Sequence, residues 1–374
     1  MNIQLMEKKE VKKTGLVLET LPVPGYEKVI KVTHVKAKLQ AIIAIHSTAL
    51  GNALGGTRIY PYSSFDQALT DVLRLAKGMS YKSAIAETGF GGGKAVIIAN
   101  PKIDKTEELL LAYAEAVDSL NGEFITAEDS GSEEKDFAII NKKTKYLVGF
   151  SHEKSSGSPS RFTAWGIYCG IQAVLQKLHG SNSVQDRKIV IQGAGNVGEL
   201  LIEFLFWQGA DITITDINVD TMKRIAKKYG VKTIAPEEIY HQECDIFSPC
   251  GFGGIINRNT IPILRCKAVA GSANNQLLTD EDGESLKQRK ILYAPDFVIN
   301  GGGLINVSQE VAIEGYHPKI PREKSLNIYQ SLLTIFEESD KSNISTHQAA
   351  VSLAQYRIKA GIGKRLGNPH FHCA

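Results

Sequence analysis

Two lysines and a run of glycines are the first residues in this sequence whose types and spacing could do chemistry. Lys77-Gly78-Met79-Ser80-Tyr81-Lys82 is followed, twelve positions after Lys82, by the lysine of Gly91-Gly92-Gly93-Lys94. Three glycines leave backbone bare, so a small ligand can approach closely. A lysine buried near a second cation is pushed toward neutrality and can act as a base, which suits Lys94. Lys82 can remain charged and bind an anionic group such as an α-carboxylate. Glu128-Asp129 follows the apparent strand Phe124-Ile125-Thr126 and sets a carboxylate at a strand end, where an amine could meet it. Taken singly, the same residues also read as surface lysines beside a loop and as an ordinary turn.

A second constellation is Gly193-Ala194-Gly195-Asn196-Val197-Gly198, a G-x-G-x-x-G pattern. Alone it is weak, but it directly follows the apolar strand Lys188 to Gln192 and opens a helix carrying Leu200, Leu201 and Leu205, the context a dinucleotide site requires. Gly193 permits the tight turn, Gly195 lets backbone approach the pyrophosphate, and Gly198 allows close helix–strand packing. Asn196 and Val197 then open the helix, whose first N–H groups and partial positive charge favour phosphate. Asp216 ends the next strand, near the spacing of the acid that binds the adenosine ribose hydroxyls. A carboxylate there repels a 2′-phosphate, so NAD is favoured over NADP; the plainer reading of Asp216 is a helix N-cap.

The elements that must position these residues follow from patterning. Val29 to Ile45 reads as paired strands. Ser64 and Gln67 have capping-box spacing, and Leu69, Val72, Leu73 and Ala76 share one helical face, giving a helix that ends near Gly78. A strand from Lys94 to Ala99 and a helix from Thr106 to Leu120 complete a mixed N-terminal region. The Ser/Gly/Pro stretch from Gly149 to Ser160 reads as a hinge, and the domain boundary is placed at 150/151. Beyond it, apolar strands alternate with helical segments, as in a parallel sheet covered on both faces. The predicted fold is α/β with two domains, 1–150 and 151–344, the helices of about 345–374 packing back on the first, and a ligand cleft between them.

Composition narrows the classes. The 43 basic and 40 acidic residues, net +3, are mixed along the chain and offer no nucleic-acid arm. The N-terminal residues Met1 to Glu10 lack a secretory apolar core, and no run approaches the roughly 18 apolar residues of a membrane helix. The cysteines Cys169, Cys244, Cys250, Cys266 and Cys373 show no CxxC spacing, so neither a disulfide framework nor a metal site is expected, and a cytoplasmic setting fits.

The sequence resembles the glutamate/leucine/phenylalanine/valine dehydrogenases, and most closely their leucine and valine branch. The resemblance rests on Ala53-Leu54-Gly55-Gly56-Thr57-Arg58, Leu75 to Lys82, Gly91 to Lys94, Thr126 to Asp129, Gly193 to Gly198, Cys244 to Phe247, Ala270 to Gln276 and Tyr293 to Asp296, all in family order. It implies a catalytic lysine at Lys94, a substrate-carboxylate lysine at Lys82 and a proton-transferring aspartate at Asp129. It implies further substrate contacts from Leu54, Gly55, Gly56, Met79, Leu304 and Val307, and nicotinamide contacts from Thr163 and Asn275. Hydride would leave the amino acid Cα for NAD, Lys94 would assist attack of water on the iminium, and Asp129 would shuttle the amine proton. Glutamate-specific members offer a lysine and a hydroxyl where this chain has Leu54 and Val307, so an apolar substrate is expected. Leucine, valine and isoleucine differ by about a methylene, worth only about 1–3 kcal/mol. The resemblance also implies a homo-oligomer, an octamer in the leucine branch, with the first domain oligomerising.

Departures from the family pattern are Asn274 where aspartate is usual, the triplet Gly301-Gly302-Gly303, and Ala86-Glu87-Thr88-Gly89-Phe90. A carboxylate at Glu87 would keep Lys94 charged if it lay near it. Competing readings are phenylalanine as substrate, a 2-hydroxy acid dehydrogenase, which would need a polarising Arg and His pair, and a silent NAD-binding sensor.

Overall fold

A computed structural model describes residues 7–11 and 15–372. The first residues of the sequence and Cys373 lie outside them. The chain divides into two compact units, the first comprising residues 1–158, 307–317 and 357–374, the second 159–306 and 318–356. The sequence division differs in detail. The second unit starts at Pro159, a short segment at 307–317 returns to the first, and of the C-terminal helical region only residues from 357 onward do so.

In the first unit the strands are β1 (Glu7–Val11), β2 (Leu16–Thr20), β3 (Lys28–His34), β4 (Leu39–Ser47), β5 (Ala53–Tyr60), β6 (Gly91–Ile98) and β7 (Phe124–Glu128), and the helices α1 (Phe65–Ile85), α2 (Glu107–Asp118) and α3 (Glu134–Ile140). The strands form one sheet in the order β1-β2-β3-β4-β6-β5-β7, antiparallel through the β4–β6 pair and parallel where β5 joins β6 and β7. Helices cover both faces. Leu109, Leu110, Tyr113, Val117, Phe137 and Ile140 pack on one side with Ile43, Ala95 and Ile97. On the other, Ala68, Leu69, Val72 and Ala76 of α1 meet Ile42, Ala44 and Val96. That two-sided burial explains why β4 and β6 read as apolar runs rather than alternating strands.

Helix α1 is capped by the Ser64 side chain, which accepts from the Gln67 N–H, while the Gln67 side chain accepts from Ser63. It does not end at Gly78. The buried face continues through Ser80, Tyr81, Ala84 and Ile85, and this packing outweighs the roughly 1 kcal/mol a mid-helix glycine costs. Lys82 therefore stands on the last turn of a helix rather than in a loop.

The second unit holds helix α4 (Ser160–His179), then β8 (Lys188–Gln192), α5 (Asn196–Trp207), β9 (Asp211–Thr215), α6 (Val219–Tyr229), β10 (Lys232–Thr233), β11 (Cys244–Pro249), β12 (Cys266–Val269), α7 (Glu281–Gln288), β13 (Leu292–Tyr293), α8 (Asp296–Ile299), α9 (Gly302–Val307), α10 (Lys319–Ser325), α11 (Asn327–Ser342) and α12 (Thr346–Ala360). The last residue of α9 and the last turn of α12 belong to the first unit. All six strands pair in parallel in the order β10-β9-β8-β11-β12-β13. This is the doubly wound Rossmann order, whose strand direction of travel reverses between β8 and β11, and ligands of such sheets bind at the carboxyl ends there. Among the described residues, no helix is long and apolar enough to cross a membrane.

Candidate active site

Side chains alternate along β6, so Gly92, Lys94 and Val96 face α1 while Gly93, Ala95 and Ile97 face α2. The lysine amine is thus carried into the layer between sheet and helix, where Lys94 is only 5 % exposed. Its partner there is the carboxylate of Asp129, immediately after β7, with which it forms an ion pair. The sequence reading expected a second cation near Lys94; the fold sets an acid in direct contact with it, and the second cation, Arg58, sits on the other oxygen of that acid. Burial by itself would raise the Asp129 carboxyl, but the Lys94 and Arg58 charges and the Ser130 N–H hold it down at about 2.

Asp129 is over-determined. Its Oδ1 accepts from the Ser130 N–H at 2.6 Å and from Arg58 Nε at 3.3 Å, while Oδ2 takes Lys94. The Ser132 hydroxyl accepts from the Asp129 N–H at 2.9 Å and reaches Thr57 O of β5 at 3.0 Å, tying the loop to the sheet. A side chain at Gly56 would meet Glu128 O at 2.7 Å and Asp129 Cβ at 2.9 Å, so β5 must be bare there for the carboxylate to sit down.

The glycine triplet does something other than expected. A Cβ on Gly92 would overlap the backbone nitrogen and hydroxyl of Ser80, one on Gly91 would overlap Ser47 O, and one on Gly93 would meet the Phe124 ring at 2.8 Å. The three are strand residues of β6 that let α1 and the neighbouring strands close on it, so packing rather than the approach of a ligand accounts for them. Ser80 itself is fixed by His46, whose Nδ1 lies 2.8 Å from the Ser80 hydroxyl, and burial followed by the Lys77 charge lowers the His46 pKa. Gly55 is likewise packed against Gly93 O. Leu54 is fully buried and pairs with Gly92 and Ile125, and Met79 is half-buried on α1. Val307, in the first unit, lies within 4 Å of where a Gly149 side chain would be, as does Ala127 of β7. Leu304 is half-buried on α9 in the second unit.

Glu87 is not beside Lys94. It adopts a left-handed conformation just past α1, is exposed, and pairs with Arg357 at 3.1 Å. The same arginine donates to Ile85 O at 2.8 Å, closing the helix end.

In the second unit the glycine turn lies at the reversal point. Gly193 takes φ +100° and its N–H donates to Thr215 O at 2.8 Å. A Cβ on Gly198 would overlap Gly193 O, which is the close helix–strand packing the pattern requires, whereas a Cβ on Gly195 would meet nothing within 4 Å. Open space over Gly195, beside the first N–H groups of α5 at Asn196 and Val197, is a cradle suited to a pyrophosphate. The buried Gln192 Oε1 and Thr215 Oγ1 at the ends of β8 and β9 have no hydrogen-bond partner, as expected where a polar ligand completes a site. Asp216 is not the cap of α6, a place taken by Asn218; its carboxylate accepts from the Ala194 and Asn218 N–H groups at 2.6 and 2.7 Å. The residues present thus fit a dinucleotide.

Thr163, in the first turn of α4, donates to Pro159 O at 3.0 Å and packs against Gly303, where any Cβ would meet its hydroxyl at 2.5 Å; Gly302 has the same close approach to Phe162 O. This explains two glycines of the Gly301–Gly303 triplet. Asn275 takes a left-handed φ of +52° and its carbonyl accepts from Gly254 N at 2.7 Å. Asn274, the departure from the family pattern, accepts from Asn300 Nδ2 at 2.8 Å. Sequence reasoning missed Arg58 as the second cation on Asp129; the parallel register of β5 with β6, which sets Arg58 beside Val96 on the Lys94 face, is not written in local sequence.

Comparison with known proteins agrees with both halves. Residues 27–146 match the Glu/Leu/Phe/Val dehydrogenase dimerisation domain, and residues 213–360 the Glutamate/Leucine/Phenylalanine/Valine dehydrogenase domain. A leucine dehydrogenase of Geobacillus stearothermophilus is 44% identical over 89% of this chain and 91% of its own length. A phenylalanine dehydrogenase of Bacillus thermotolerans is 44% identical over 91% and 90%. The crystal structure of L-tryptophan dehydrogenase from Nostoc punctiforme superposes with a TM-score of 0.80 at 41% identity, covering 90% of this chain and 96% of that one. Fold, residues and relatives together define an NAD-dependent amino acid dehydrogenase. The chain belongs to the Glu/Leu/Phe/Val dehydrogenase family.

Proposed function

We propose that this enzyme oxidatively deaminates a branched-chain L-amino acid, leucine first among them, to its 2-oxo acid and ammonium, reversibly. The observation that carries the choice of substrate is the burial of apolar Leu54 and Val307 in the unit that holds the Lys94–Asp129 pair, where a glutamate-specific site would need polar groups. In this reading Lys82 binds the substrate carboxylate, Leu54, Gly55, Gly56, Met79, Leu304 and Val307 border the side chain, and Lys94 and Asp129 move protons. Gly193, Gly195, Asn196, Val197 and Gly198 hold the pyrophosphate, Asp216 the adenosine ribose, and Thr163 and Asn275 the nicotinamide; when bound, NAD accepts the hydride from the amino acid Cα. The amine proton leaves toward Asp129, and Lys94, once it has given up its own proton, assists attack of water on the iminium.

Phenylalanine is the second reading, favoured by a phenylalanine dehydrogenase relative as similar as the leucine enzyme. We also propose a homo-oligomer in the cytoplasm, with an octamer as the specific expectation; the dimerisation-domain match and the buried free thiols Cys169, Cys244 and Cys266 support these. Light scattering of the purified protein tests the assembly.

NADH formation with leucine, valine, isoleucine, phenylalanine and glutamate, in the wild type and Lys94→Ala, tests the function. Highest kcat/KM on the branched-chain set, with kcat lowered about 10²–10⁴-fold in the variant, supports the proposal. Preference for phenylalanine overturns the substrate, and an unchanged K94A overturns the role of Lys94.

A further inference from the structure

Asp129 is the carboxylate nearest the Lys94 amine, yet its hold on protons is set partly from outside that pair. Arg58 reaches it from β5 with one nitrogen at 3.3 Å and, with another, donates to Asp71 of α1 at 2.8 Å. Asp71 also accepts from the Tyr62 hydroxyl at 2.6 Å. The guanidinium is therefore shared between two carboxylates, and the shorter contact belongs to Asp71. The side chains of Arg58 and Asp71 are partly exposed and line a pocket of about 560 Å³ with Tyr60, Tyr62, Gln67 and Arg74. We propose that Arg58 is a positioning residue, tuned by Asp71, that fixes the Asp129 carboxylate toward Lys94 and sets the pH at which the Lys94–Asp129 pair exchanges protons.

The physical case is one of geometry and charge. A carboxylate held on one oxygen alone can swing about its Cβ–Cγ bond; Asp129 is pinned because Lys94 takes Oδ2 while Arg58 and the Ser130 N–H take Oδ1. Were Arg58 given wholly to Asp129, the carboxyl would be held lower still. Drawing the guanidinium toward Asp71 leaves a long contact that orients without saturating. Glu128 of β7 stands in register with Thr57, on the other face of the sheet, and is raised by burial, by Glu134, Asp136 and Glu133 of the α3 region and by Asp129. α1 contributes Arg74, which lines the same pocket as Arg58 and Asp71, and carries Lys82 on its last turn, while Lys105 donates to Asp136 at 2.7 Å and reaches Gly131 O at 3.4 Å. None of these changes when Arg58 or Asp71 is replaced, so the sign of the effect rests on the replaced charge. Interacting groups titrate as a unit, and losing a nearby cation moves that titration to higher pH, while losing a nearby anion moves it lower.

This inference rests on the reading of Asp129 as the proton carrier, and its test separates the two. The pH dependence of kcat/KM for amino acid oxidation is compared in wild type, Arg58→Gln, Arg58→Lys, Arg58→Ala, Asp71→Asn and Asp129→Asn. The half-maximal pH rises by about one unit in R58Q, falls by a smaller amount in D71N, and returns most of the way in R58K. Low millimolar guanidinium, which the pocket can admit, restores part of kcat in R58A, and KM for NAD stays within about twofold throughout. Opposite shifts are a signature that simple loss of folding cannot imitate, and should R58Q not fold, the downward shift of D71N decides. Coincident profiles for wild type, R58Q and D71N, or for wild type and D71N alone should R58Q not fold, with D129N inactive, overturn the role of Arg58. A fully active D129N overturns the reading of Asp129 itself.

Discussion

Two glycine-rich segments of this molecule look alike in sequence and do opposite work. Gly91–Gly93 in the first unit is closed: every Cβ would strike Ser47, Ser80 or Phe124, and what the glycines make possible is the tight seating of α1 on β6 with Lys94 behind it. Gly193–Gly198 in the second unit is half open: Gly193 and Gly198 serve the turn and the helix packing, but nothing of the protein stands over Gly195. A glycine can be demanded by the protein's own atoms or by a ligand's, and only the surroundings tell which. The first unit thus presents chemistry through charged side chains locked by packing, the second through bare backbone.

The contrast can be broken most forcefully at Gly92. Gly92→Ala drives a Cβ into the Ser80 backbone and is expected to cost about 3 kcal/mol or more, lowering Tm by roughly 6–12 °C in calorimetry. A G92A protein of unchanged Tm with a raised amino acid KM would return the triplet to ligand approach. Gly195→Ala should do the reverse, leaving Tm within about 2 °C while weakening NAD at least about tenfold, a difference of about 1.4 kcal/mol by titration calorimetry. Unweakened NAD binding would show that the open space is not the pyrophosphate cradle.

Acid sharpens the same comparison. The Asp129 carboxyl is held at about 2 against an ordinary 3.8. Its folded value is depressed, so the stability it contributes is fully present above about pH 4 and lost as pH falls toward about 2. Wild type should lose stability across that window more steeply than Asp129→Asn; parallel acid curves would mean that the ion pair adds nothing to folding. The smallest effect is expected at Glu87→Gln. Its half-exposed pairing with Arg357 is a surface bridge, so the change should stay within about 0.5 kcal/mol and leave the kcat/KM profile in place.

What the sequence determined by itself is what depends on short-range order. Lys188 to Gly198 declares a strand, a turn and a helix start within one contiguous segment, and the alternation of strands and helices beyond Pro159 implies a parallel sheet, because each step is local. Lys82, Lys94 and Asp129 could be picked out by residue type and family order, but their partners could not. That Lys94 meets Asp129 depends on β5 lying between β6 and β7, a pairing set by burial on both faces of the sheet. The same long-range packing carried α1 past Gly78, turned Glu87 toward Arg357, and placed Arg58 between Asp71 and Asp129. Propensity and spacing act over a few residues, whereas the charge that a side chain finally faces is decided by which elements the hydrophobic core brings together.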